Sequence, residues 1–117
     1  MKKKVLTLTV SKEWYDMIAA GRKTEEYREI KPYWLNRITK DADGDYSYVH
    51  TTDGKFIDFT LGSNFRSRYT HVLFINGYRK DSPRIEKEIE SISIGKPKKG
   101  LCPDKWLDTE FFIIKFK

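Results

Sequence analysis

Four short runs limit what this chain can fold into. They are Val5-Leu6-Thr7-Leu8-Thr9-Val10, His71-Val72-Leu73-Phe74-Ile75, Ser91-Ile92-Ser93-Ile94 and Glu110-Phe111-Phe112-Ile113-Ile114-Lys115-Phe116. Each is rich in β-branched or aromatic residues, and each is too short for a buried helix. Segments of this kind bury themselves as strands, and the first and third alternate with the period of two that a pleated strand requires. No apolar run approaches the roughly 20 residues of a membrane-spanning helix. At 117 residues the chain has material for one domain, 1–117. The lysines at positions 2–4 resemble the start of a signal peptide, but Val5 to Val10 is too short and threonine-rich for its apolar core. Cys102 is the single cysteine, and His50 and His71 are the only histidines. The composition therefore predicts no disulfide within the chain, no metal centre, no cofactor and no membrane attachment, in a reducing, cytoplasmic setting.

Between the runs, local signals place the helices. Ser11 offers an N-cap oxygen and Glu13 an acid in the first turn. Trp14, Met17 and Ile18 follow at helical spacing, and Gly21 suits the left-handed exit residue. Thr24 to Arg28 reads as extended. Pro32 opens a short second helix whose Trp34, Leu35 and Ile38 share an apolar face. Residues 39–70 form an insertion with two turn signals, Asp43-Gly44 and Asp53-Gly54. The second of these joins Tyr46–Val49 to Phe56–Leu61 as a hairpin, with a mobile loop as the alternative because Ser63 to Arg68 has no period. Asn76-Gly77 marks a tight turn, Lys87 to Ile94 a strand, and Lys96 to Asp104 a basic loop. The sum predicts an α+β domain: a small β-barrel of five to six strands with two or more short helices packed outside.

The net charge is +6, and the acidic residues Asp41, Asp43, Asp45, Asp53 and Asp58 concentrate in the insertion, leaving a more basic remainder. A surplus of this sign attracts polyanions, of which nucleic acid is the commonest. One segment carries more information than the total. In Gly21-Arg22-Lys23-Thr24-Glu25-Glu26-Tyr27-Arg28, a strand would place Thr24, Glu26 and Arg28 on one face and Lys23, Glu25 and Tyr27 on the other. Neither face is apolar. Such a strand is either a solvated edge, guarded by its charges, or the floor of a polar cleft. Arg28 offers a planar fork for a phosphate or for Glu26. Glu26 could accept from the exocyclic amine of a base. Lys23 could contact phosphate, or act as a base if desolvation lowers its pKa. Thr24 could be a nucleophile with such a base in reach. The same residues also describe a structural ion-pair network.

At these positions the sequence resembles the ASCH family of PUA-like small barrels, whose fingerprint is G-x-K-x-x-E-x-R, met here by Gly21, Lys23, Glu26 and Arg28. The order of elements also agrees outside the insertion. The resemblance implies a cleft between barrel and first helix, floored by the motif, that binds RNA or a modified nucleotide. Some small members hydrolyse the acetyl amide of N4-acetylcytidine with a lysine and a threonine of the motif and a later glutamate. For those members the resemblance implies catalytic roles for Lys23, Thr24 and Glu26. Lys23 matches their lysine, Glu26 stands at their threonine position, and Thr24 lies two residues earlier. Glu86, Glu88 and Glu90 are the candidates for the later acid. An amidohydrolase of acylated nucleosides is thus the alternative, followed by a ribonuclease or a protein-interaction domain using the aromatic insertion.

A second cluster, Asn76-Gly77-Tyr78-Arg79-Lys80-Asp81, sets a stacking ring and a cation beside a turn, the pair that unpaired bases favour. Arg66, Arg68, Tyr69, Lys96, Lys98 and Lys99 would extend a basic rim for phosphates. Trp14 and Trp34 read as core residues.

Overall fold

Strand β1 (Val5–Val10) buries Leu6, Leu8 and Val10 and turns Thr7 outward, as its alternation requires. The computed structural model describes residues 3–38, 48–50, 57–59 and 69–117. Helix α1 (Lys12–Ala19) follows directly, with Ser11 at its N-cap in extended conformation. The expected capping bond is absent: the Ser11 hydroxyl makes none, and its carbonyl instead accepts from Tyr15 N–H at 2.9 Å.

The exit of α1 is a Schellman turn. Gly21 N–H donates to the Ile18 carbonyl (3.1 Å) and Arg22 N–H to that of Met17 (2.9 Å). Gly21 itself has φ of +78°, the conformation that only glycine adopts without cost. Lys23 N–H also donates to the Met17 carbonyl, at 3.1 Å, so the backbone stays tied to the helix for one residue more. Strand β2 (Glu25–Arg28) then begins, and helix α2 (Pro32–Ile38) ends with Ile38 fully buried. The Leu35 side chain lies outside the described residues.

Within the insertion, β3 (Tyr48–His50) pairs antiparallel with β4 (Ile57–Phe59) as a separate hairpin. The Asp43-Gly44 and Asp53-Gly54 turn signals fall outside the described residues. Three more strands complete the main sheet: β5 (His71–Asn76), β6 (Arg84–Gly95) and β7 (Phe111–Phe116). The order is β1-β5-β6-β7-β2, with β1 and β5 parallel and all other neighbours antiparallel. A short 3₁₀ helix, Asp104–Trp106, interrupts the loop before β7.

The long β6 joins two halves. Its first part pairs with β5, its second with β7, and the register to β7 shifts between Ile89 and Ser91. An irregularity of that kind bends a strand and raises its twist. The expected barrel does not close, however. Strands β1 and β2 are the two ends of the sheet and share no backbone ladder. What spans the gap between them is a side chain: Arg28 of β2 donates from Nη2 to the Thr9 carbonyl of β1 at 3.0 Å. The fold is therefore an open five-stranded mixed sheet with two short helices.

The main core gathers Leu8, Ile18, Val72, Phe74, Phe112, Ile114 and their neighbours, with Trp14 and Trp34 packed at its margin. A second cluster of Tyr27, Cys102 and Phe111 lies beneath Leu101, Trp106 and Leu107. Among the described residues no helix is long and apolar enough to cross a membrane.

Gly21 gives the first prediction. A Cβ added there meets nothing within 4 Å, so Gly21→Ala carries only the conformational cost of a left-handed residue, about 1 kcal/mol. Urea unfolding should show a lower midpoint at unchanged slope. An unchanged midpoint would mean that the turn is not held in this conformation.

Candidate functional site

Register places the motif on two faces of β2. Glu26 pairs with Ile114 and Arg28 with Phe112, on the side of the main core, while Glu25 pairs with Lys115 and Tyr27 with Ile113 on the other. Both faces are covered: Glu25 is 4% exposed, Glu26 5% and Tyr27 1%. This is an edge strand by position, but not a solvated one.

Lys23 departs from the face that alternation predicts. It precedes the strand and is still bonded to α1, so the period of two does not reach it. Its side chain is 1% exposed and joins Glu26 rather than Glu25. The ammonium lies 3.4 Å from Glu26 Oε1, donates to the Leu101 carbonyl, and sits 4.8 Å from the ring centres of both Trp14 and Tyr27. Glu26 Oε1 also accepts from Tyr27 N–H at 3.0 Å, and Oε2 lies 3.2 Å from Arg28 Nη1. Arg28 makes three polar contacts. Besides Glu26 and Thr9 it donates to the Tyr27 carbonyl at 2.7 Å, and its guanidinium lies 5.5 Å from the Trp34 ring centre. Lys23, Glu26 and Arg28 thus form one chain of charges, buried at Lys23 and Glu26 and half-buried at Arg28, with the carboxylate in the middle.

On the opposite face Tyr27 Oη donates to Glu25 Oε1 at 2.6 Å and accepts from Lys98 N–H at 3.1 Å. Burial, with the Glu25 bond second, pushes the phenol well above its ordinary range. Cys102 Sγ reaches the Lys98 carbonyl at 3.8 Å, and burial raises its thiol pKa. Lys23 and Tyr27 therefore both tie the loop 96–103 to β2.

Beside this chain lies a cavity of about 480 Å³, in the gap between the two sheet ends. Thr7, Thr9 and Val10 line it from β1, and Glu26, Tyr27 and Arg28 from β2. Trp14, Tyr33, Trp34, Trp106 and Phe111 supply aromatic walls, and residues 101–103 a third side. The aromatic lining was only partly legible in the sequence. Trp14 and Trp34 do pack on the core, but they also face the cavity, and Trp106 arrives from a loop that carries no motif. Among the described residues no cluster of three or more His, Cys, Asp and Glu is placed to hold a metal ion.

The remaining candidates are dispersed. Thr24 is exposed and does not line the cavity. Tyr78 stands at the cavity's rim, 93% exposed, with Arg79 beside it in solvent. Glu86, Glu88 and Glu90 lie exposed along β6, where Glu86 pairs with Lys3 at 2.7 Å and Glu88 with Lys117 at 3.1 Å. Lys96, Lys98 and Lys99 are exposed on their loop, outside the cavity lining. Arg66, Arg68 and the His50 side chain fall outside the described residues. No protein-family model, curated protein or solved structure matches the chain.

Burial lowers the Lys23 pKa from its ordinary 10.5, against the opposing pull of Glu26. The unfolded chain keeps the ordinary value, so between the two values it binds more protons than the folded protein. Stability then rises with pH across that window. The wild type should gain stability relative to Lys23→Met as pH climbs toward 10.5, measured as urea midpoints. A constant difference over that range would show that the ammonium is not destabilised by its surroundings.

Proposed function

We propose that this chain is an ASCH-type, PUA-like domain that binds an unpaired base of RNA, or a modified nucleoside, in the cavity between β1 and β2. The observation that carries the reading is the pairing of aromatic walls with a buried, fixed carboxylate. A volume near 480 Å³ falls within the range of small-ligand pockets. Base–aromatic stacking contributes about 1–3 kcal/mol per base, and Trp14, Trp34 and Trp106 line the cavity. An ionised carboxylate has about four acceptor positions. Lys23 and Tyr27 N–H take those of Oε1, and Arg28 takes one on Oε2. One position on Oε2 remains for a donor such as an exocyclic amine. The G-x-K-x-x-E-x-R segment on an end strand beside this cavity supports the family reading.

The charges lining the cavity are Glu26, Arg28 and Glu29, a sum of −1, and Arg28 lies against Glu26. That sign favours a neutral heterocycle over an isolated phosphate. Binding is also favoured over amide hydrolysis. Of the three residues that hydrolysis would draw on, Lys23, Thr24 and Glu26, only Glu26 lines the cavity. Lys23 acts here as a positioning residue, holding Glu26 and the Leu101 carbonyl.

Titration with nucleoside monophosphates and short single-stranded RNA should quench tryptophan fluorescence. Glu26→Gln, with folding checked by circular dichroism, should weaken cytidine monophosphate by about 1 kcal/mol, several-fold, and uridine monophosphate less. Absence of any response to nucleotides or RNA would overturn the reading.

A further inference from the structure

Tyr78 is a ring held out in water by a stiff turn. It is 93% exposed, yet it lines the rim of the cavity. Gly77 turns the chain with φ of +101°. Arg79 N–H donates to Ser82 Oγ at 2.9 Å, Ser82 N–H to the Arg79 carbonyl at 3.1 Å, and Asn76 N–H to the Pro83 carbonyl at 2.9 Å. Ser82 is itself buried. The turn is thus ordered from beneath, while the ring it carries makes no hydrogen bond or ring contact with any described residue. Such a ring adds little to the fold, and a stacking partner would find it already positioned.

The cations beside it differ from those inside. Arg28 is 16% exposed and already lies against Glu26 and two carbonyls. The Arg79 side chain is 84% exposed and, among the described residues, pairs with Asp81 alone, at 4.0 Å, and Lys80 is exposed. The more accessible cations for a phosphate are therefore those beside the rim.

We propose that the site continues outward along this turn. Tyr78 stacks a second base, Arg79 and Lys80 take the phosphate between the two, and the ligand is a single-stranded polynucleotide rather than a free nucleotide. This rests on the nucleotide-binding reading above.

The test is anisotropy of a fluorescein-labelled single-stranded RNA of mixed sequence, with its duplex and the nucleoside monophosphates as competitors. The strand should bind more tightly than any monophosphate, and the duplex should compete poorly. Tyr78→Ala should weaken the strand roughly tenfold, more than it weakens a monophosphate. Arg79→Ala should reduce the slope of log K against log salt by about 0.7. Both residues are exposed, so the variants fold. If the strand binds no tighter than a monophosphate, if the duplex competes equally, or if Tyr78→Ala affects both ligands alike, this inference fails and the nucleotide reading stands. If neither strand nor monophosphate binds the wild type, both fail.

Discussion

A buried carboxylate between a buried and a half-buried cation organises this molecule. Glu26 touches Lys23 on one oxygen and Arg28 on the other, and each cation reaches a different part of the chain. Lys23 extends to the Leu101 carbonyl and lies between Trp14 of α1 and Tyr27. Arg28 extends to the Thr9 carbonyl of β1 and over Trp34 of α2. Removing charges from water costs several kcal/mol per ion, and breaking a buried pair by deleting one partner typically costs about 3–5 kcal/mol. The helix, both sheet ends and the loop 96–103 are consequently coupled through one side chain.

That coupling explains how an open sheet can carry a defined cavity. Had β1 and β2 paired, their backbone ladder would have occupied the space now lined by Thr9, Trp14 and Trp34. Instead β6 serves two neighbours through its register shift, and the sheet ends stand apart. A single guanidinium bond spans them. An unpaired edge is usually a liability for aggregation. Here α1, α2 and the 101–106 segment line the gap between the edges, and the motif strand is buried on both faces.

The sequence made the strands, the first helix and its glycine exit legible because each is governed by local rules: alternation, β-branching and the left-handed conformation of Gly21. The motif was legible as a charged strand that core burial alone could not hold. Three features were not. Lys23 changed face because its N–H is still bonded to Met17, a tertiary detail that alternation does not encode. Glu25 and Tyr27 are buried by a loop that lies about seventy residues later in the chain, where Lys98 N–H meets the Tyr27 hydroxyl. Trp106 reaches the cavity from the same distant loop. Whether the sheet closes depends on how far its ends are held apart, and the number of strands does not fix that.

The net charge of +6 gains a different meaning from this arrangement. The cations nearest the cavity are neutralised by Glu26 or spent on carbonyls, so they contribute little field to an approaching ligand. The other described lysines and arginines are spread over helices, strands, loops and chain ends, most of them exposed, where they raise the encounter rate of a polyanion and are screened by salt. On the proposed nucleotide-binding reading, selection comes from stacking and from the open position on the Glu26 carboxylate, contacts that screening scarcely touches. On that reading attraction and discrimination are separate, the first belonging to the exterior as a whole and the second to the cavity between β1 and β2.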